Sequence, residues 1–296
     1  MTWHDISNPA SHQLDELAAV HSLHPLHIED CRQRGQRTKV DRGDQYLFII
    51  LKLLLLDEND ELQVGDLSMF VGSKFLITVH ETSLPPLDAL RDRNEDLRPD
   101  QVLYRLLNVV VDSYVPLIDK LEDRIEELQD QAVGRPRPAV LESIGDIRST
   151  LMQLRRVLSN TRHVAFQLRQ VASPLVSRDL FPFLGDVQDD LAVALELIAG
   201  ERERLTGVLD VYLSSVANRT TEATRTLTLL GTIALPALVI SSFFGMSVPY
   251  PEWTKSHWAL EFLAALTVAV TGYLLWYLKR NDYLPGGTTA PGKKDG

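Results

Sequence analysis

Thr221, Thr224, Thr228, Gly231, Leu235, Leu238 and Ser242 recur at spacings of three and four, which places them on one face of a helix. Asn218 and Asp210 continue that face approximately towards the N-terminus. A helix in an apolar environment needs no hydroxyls, so a polar stripe has to be explained. Two explanations fit. One is a small-residue seam against which another helix packs. The other is the wall of a water-filled pathway, polar at one end and narrowed by rings of leucine deeper in. Periodicity leaves both open. Just beyond the stripe stands Gly245-Met246-Ser247, followed by a short loop with Pro249, Pro251 and Glu252.

The segments that carry these residues are poor in charge. No Asp, Glu, Lys or Arg lies between Arg225 and Glu252, and none between Glu261 and Lys279. A helix needs roughly 17–25 apolar residues to cross a bilayer. The spacing therefore predicts two spans, over 226–245 and 258–278, with Trp258, Trp276 and Tyr277 as interfacial aromatics. Arg219 and Arg225 precede the first span, and Lys279 and Arg280 follow the second. By the positive-inside tendency both termini face the cytoplasm. Two spans cannot enclose a hydrated ion, so a pathway requires several copies around an axis.

The remainder reads as water-soluble. The net charge of -10 argues against a nucleic-acid partner, which would meet a basic face. Cys31 is the one cysteine, so no intrachain disulfide forms and a reducing compartment suits the chain. The N-terminal residues lack the basic and apolar regions of a secretory signal, and a cleaved leader is not expected. Over 1–100, strand signals at 46–56 and around the Gly72-Ser73 turn mix with helical signals in "HQLDELAAVHSL" and "LPPLDALRDRNEDL". From 101 to 185 two amphipathic helices are predicted, broken at Gly134–Pro138. The stretch "SPLVSRDLFPFLG" reads as irregular. From about Asp186 to Phe244 the pattern is helical with Pro236 inside it, about 59 residues or roughly 88 Å of stalk and first span. The tail, 279–296, reads as disordered.

Other constellations are weaker. His21, His24 and His27 with Cys31 suggest zinc by spacing, but Pro25 interrupts a common helical face and favours turn and cap roles. Asp186, Asp189 and Asp190 cluster where the stalk is predicted to begin. They suit a helix N-terminus, and carboxylates facing a neighbouring subunit could equally hold a hard cation. There is no phosphate-binding loop, nucleophile elbow or zinc-protease motif, so no enzyme is expected and no cofactor beyond a divalent cation.

The chain resembles the CorA family of divalent-cation transporters, including its ZntB-like branch. The resemblance rests on "LHPLHIEDC" followed by "QRTKVDRGDQYLFIILK", on "FLITVHE", on "LIDKLEDRIEELQD" and on the segment from Leu209 to Ser247. It runs nearly end to end. It implies an α+β cytoplasmic domain, a mixed sheet flanked by helices, joined by a long stalk helix to two C-terminal transmembrane helices. It also implies a funnel-shaped homopentamer in the cell inner membrane whose partners are itself, the lipid bilayer and divalent cations.

The resemblance further assigns roles. Gly245, Met246 and Ser247 stand where the family places the Gly-Met-Asn selectivity filter. Asp210, Asn218, Thr221, Thr224, Thr228, Leu235, Leu238 and Ser242 line the pore. Glu252 in the 246–257 loop attracts cations, and Asp186 with Asp189 forms a regulatory metal site between subunits. The expected function is transport of Mg²⁺, Co²⁺ or Ni²⁺. The alternatives are zinc transport, proton-coupled as in the ZntB branch, and a membrane-anchored scaffold or regulator. Ser247 departs from the family asparagine. Its hydroxyl is shorter and accepts fewer hydrogen bonds from a bound hydration shell. The family also has an amide where Thr221 stands, a methionine where Thr224 stands and a threonine where Leu238 stands.

Overall fold

A computed structural model of the chain describes residues 1–56, 62–81, 97–134, 137–171, 175–245 and 257–280. It divides into two compact units, Met1–Tyr212 and Leu213–Gly296.

The first unit is built on a five-stranded sheet of order β1-β5-β4-β3-β2. The strands are β1 (Thr2–Ile6), β2 (Lys39–Arg42), β3 (Tyr46–Leu56), β4 (Leu62–Gly72) and β5 (Phe75–His80). β1 runs parallel to β5, and the other pairings are antiparallel. β3 and β4 pair over their whole length, from Tyr46 opposite Gly72 to Leu56 opposite Leu62. β4 turns into β5 through Gly72, where a side chain would strike the Phe75 ring. The apolar run of β3 follows from burial on both faces, because alternate residues enter two different cores. Tyr46, Phe48 and Ile50 pack with Phe70 and Ile77 under α1 (His12–His21) and α2 (Pro25–Arg32). Leu47, Ile49, Leu51 and Leu53 pack under the long helices of the opposite layer.

Those helices are α3 (Pro99–Asp112), α4 (Val115–Val133), α5 (Pro138–Val171) and the first part of α6 (Phe181–Gly245). A short 3-10 turn, Arg178–Leu180, leads into α6. Buried Tyr114 stands between α3 and α4; its hydroxyl donates to the Lys52 carbonyl at 2.8 Å and lies 3.3 Å from Thr161 Oγ1. Helix is thereby tied to sheet through a polar contact inside an apolar layer. Asp100, at the start of α3, is buried and accepts the Ser177 N–H at 2.9 Å. Within this unit α6 buries Leu184, Val187, Leu191, Ala194, Ile198, Leu205, Val208 and Tyr212, one stripe at spacings of three, four and seven.

The helix begins at Phe181 and not at Asp186, because Pro182 is compatible with a first turn and Leu184 and Val187 have a core to enter. The acids at 186–190 therefore stand beyond the first turn and do not form the helix start. The second helix expected before residue 100 falls on 84–97 and lies almost wholly outside the described residues, as does the tail from 281 onward.

His24 and His27 act locally. His24 caps α2, its Nδ1 accepting the Leu26 N–H at 3.2 Å. His27 stacks on Phe48 at 4.5 Å, with its Nδ1 2.8 Å from the Tyr46 hydroxyl. Lys39 sits nearby between Asp30 (2.8 Å) and Asp41 (2.6 Å). Cys31 is partly covered, with its thiol hydrogen-bonded to Ser68, and burial pushes it up to about 12.

Burial lowers the His27 pKa below 6.5; Lys39 and His24 act in the same direction, against Asp41 and Asp30. The neutral ring is the form the fold accepts. Its stabilisation is complete above pH 6.5 and is lost as pH falls from there through the lowered folded value, since the unfolded chain then binds the extra proton. We expect the first unit to melt at progressively lower temperature between about pH 7 and pH 5. His27→Gln should remove up to about one proton from that pH slope, measured by thermal melts followed by circular dichroism. An unchanged slope in the variant would remove His27 from this role.

Candidate functional site

In the second unit, α6 carries the polar stripe in full view. Asn218, Thr221, Thr224, Thr228, Leu235, Leu238 and Ser242 are all exposed. Asp210, in the first unit, is exposed too. The threonine hydroxyls share one arrangement. Thr221 Oγ1 donates to the Ala217 carbonyl at 3.0 Å, Thr224 Oγ1 to Thr220 at 2.8 Å, and Thr228 Oγ1 to Thr224 at 2.9 Å. Thr220, Thr226 and Thr232 bond backwards in the same way.

A hydroxyl has one hydrogen and two acceptor lone pairs. Once that hydrogen is held by the helix, the oxygen offers only acceptance outward. A wall of acceptors orients water with hydrogens towards it and oxygens away. That is how the hydration shell of a cation presents itself, since the ion holds the oxygens inward and the hydrogens point out. The same wall offers an anion no hydrogen. Sequence reasoning named the threonines but not this polarity. The signal was available, because a helical threonine has a carbonyl four residues back within reach.

The apolar residues around the stripe are uncovered. Among the described residues none after Tyr212 is buried. Leu227 is 72 % exposed, Trp258 81 %, Phe262 69 % and Val268 73 %. Leu235, Pro236 and Val239 of α6 form an apolar groove with Leu266, Val270 and Leu274 of α7 (His257–Arg280). Near the end of α7, Arg280 lies over the Trp276 ring at 5.2 Å, and Tyr273 and Tyr277 neighbour each other. Among the described residues no helix is long and apolar enough to cross a membrane. Ala237, Ile240, Ser241, Phe243 and Phe244 of the first expected span lie outside the described side chains, so the two spans rest on the sequence.

Gly245 is the last residue of α6. Met246, Ser247 and Glu252 lie outside the described residues. On the first unit, Asp186 and Asp189 are exposed. Their neighbour Asp190 has its carboxyl pKa raised by burial first, then by the charges of Asp186, Asp112 and Asp189. Asp112 comes from α3, and sequence reasoning did not bring it to this place. Among the described residues no three His, Cys, Asp or Glu side chains are grouped to hold a metal ion.

Comparison with known proteins bears on the whole chain. The family model described as CorA-like Mg2+ transporter protein matches residues 1–280. The cobalt/magnesium transport protein CorA of Thermotoga maritima is 29 % identical, over 96 % of this chain and 83 % of its own. The putative metal ion transporter YfjQ of Bacillus subtilis is 27 % identical, over 94 % and 88 %. The zinc transport protein ZntB of Yersinia enterocolitica is 23 % identical, over 84 % and 77 %. The solved complete structure of the CorA magnesium transporter from Methanocaldococcus jannaschii superposes with a TM-score of 0.85 at 22 % identity, covering 95 % of this chain and 91 % of that one. The mixed sheet and the long helix described above are thus the fold of that protein. With a family model matched from the first strand to the last helix, the chain belongs to the CorA-like Mg2+ transporter family.

Proposed function

We propose that this chain is one subunit of a homopentameric channel or transporter that carries divalent cations across the cell inner membrane. Residues 226–245 form the pore-lining span and 258–278 an outer span, with both termini in the cytoplasm. The observation that carries the reading is the acceptor-only threonine stripe on α6, set among uncovered apolar residues. Exposed apolar area on this scale needs a cover, and lipid and neighbouring subunits supply one. Copies around an axis turn each hydroxyl into a ring, which suits a cation that keeps its water. Mg²⁺ dehydrates reluctantly, so gripping its shell is chemically easier than stripping it. Magnesium and cobalt are the named cargo of the Thermotoga relative. Zinc, with or without proton coupling, is the second reading. It is favoured by Ser247 in place of the family asparagine and by the match to the Yersinia zinc protein.

The test is flux of Mg²⁺, Co²⁺, Ni²⁺ and Zn²⁺ into liposomes containing the purified chain. Thr224→Val keeps the side-chain shape and removes the acceptor from every subunit. It should lower flux of the preferred ion by about tenfold without lowering the yield of folded protein. If no divalent ion passes in the parent, the chain is a scaffold or regulator and the transport reading fails.

Gly245, Met246 and Ser247 form the outer constriction in this proposal, with Glu252 raising the local cation concentration. Ser247→Asn restores the amide and should move preference towards Mg²⁺ over Zn²⁺ by about tenfold in the same assay. Identical selectivity in variant and parent would place ion choice elsewhere.

Asp186, with Asp189, is proposed to hold a divalent ion between subunits, which would screen the carboxylate repulsion that adds to burial in raising Asp190. Millimolar Mg²⁺ should slow limited proteolysis of the parent. In Asp186→Asn that protection should fall by about half or more. Equal protection in both would leave the acids as a solvated helix face.

A further inference from the structure

The layer formed by α1 and α2 is a thin cover. Of residues 12–32 only Leu14, Leu23 and Ile28 are buried, and Val20 and Leu26 are exposed. Beneath the layer lie Tyr46, Phe48, Ile50, Phe70, Ile77 and Val79 of the sheet. Three aliphatic side chains hold such a layer weakly, so its polar fastenings matter more. Two of these meet at Tyr46, which is 1 % exposed. Its hydroxyl accepts the His24 N–H at 2.8 Å, at the N-cap of α2. The same hydroxyl lies 2.8 Å from His27 Nδ1, one turn further along the helix. A phenol has one hydrogen to give. Among the described residues its acceptor is His27 Nδ1, so that nitrogen is bare and the ring proton sits on Nε2.

We infer that α1 and α2 form a proton-released cover, which opens locally when His27 takes a second proton. That proton enters at Nδ1, opposite a hydroxyl whose hydrogen already points there. The hydroxyl then faces two donors, His24 N–H and His27 Nδ1–H, and its own hydrogen is turned towards Phe48 and Phe70. A buried donor left without an acceptor is costly. The Tyr46 ring is also closed in from the side, since a Cβ at Gly43 would strike it. The charges around His27 do not repair this. Asp41 Oδ2 is 4.0 Å from Nε2 and is already held by Lys39 at 2.6 Å. Lys39 also pairs with Asp30, and its ammonium stands over the Phe48 ring on which His27 stacks. His24 adds a second imidazole 5.6 Å away. On α1, His21 stacks on Phe75 at 3.9 Å, with His4 as its titrating neighbour. Burial lowers the pKa of His21 as it does that of His27, so both fastenings are complete above pH 6.5 and fade below it. The core on the other face of the sheet is packed by α3 to α6 without α1 or α2, which keeps the opening local.

The experiment is hydrogen exchange of the full chain in detergent, read by mass spectrometry at pH 7 and pH 5 and corrected for intrinsic exchange rates. On acidification, peptides from 12–32 should lose protection by at least about threefold more than peptides from α3. In His27→Gln an amide oxygen can accept the Tyr46 hydrogen at both pH values, and about half or more of that extra loss should disappear. Tyr46→Phe removes the hydroxyl itself. Protection of 12–32 should then be lower at pH 7 and less dependent on pH. Equal loss in 12–32 and α3, or no loss in either, would overturn the proposal, because the cover would then not open by itself. It is equally overturned if either variant keeps the parent's full pH dependence.

Discussion

From Tyr46 to Leu54 strand β3 has no solvent side, and most of the first unit follows from that. Tyr46, Phe48 and Ile50 need α1 and α2 as a cover, and Leu47, Ile49, Leu51 and Leu53 need the helical layer opposite. A strand buried on both faces tolerates a charge only with a partner. Lys52 has one in Asp66, its cross-strand neighbour on β4. The Lys52 carbonyl is used as well, by the Tyr114 hydroxyl, so one residue position anchors strand to strand and sheet to helix. Register errors in β3 would break both cores at once, which makes the pairing with β4 strongly specified.

Much of this was legible in the sequence, for identifiable reasons. β3 announces itself because a double-sided strand is apolar along its length, here apart from Lys52, and the turn at Gly72-Ser73 because two strand patterns flank it. The break between α4 and α5 was legible from glycine and prolines at 134–138. Other elements gave no local signal. β1, "TWHDI", is polar at alternate and adjacent positions and becomes a strand because the edge of β5 is open to it. The start of α6 was missed because two phenylalanines and a proline look irregular until a core is present to receive Leu184 and Val187. Tyr114 reads as one more apolar residue, and its two polar contacts, separated by long stretches of chain, have no sequence signature.

At the candidate site the residue types were legible and their hydrogen bonding was not. The stripe follows from the spacing alone. That its hydroxyls face outward as acceptors depends on where each proton goes, and the backbone carbonyl four residues earlier decides that. The carboxylate field around Asp190 was half legible. Its local members follow one another in sequence, whereas Asp112 arrives from another helix. Resemblance to a family filled neither gap, because it transfers residue roles and not hydrogen positions.

Cys31 has a consequence of its own. Thiolate, not thiol, captures soft metal ions and reacts with oxidants. With burial holding its thiol up to about 12, the protonated thiol is the form present at neutral pH. Zinc binds thiolate sulfur more readily than hydroxyl or carboxylate oxygen. Partial cover and a raised pKa therefore withhold the chain's one potential thiolate from such ions.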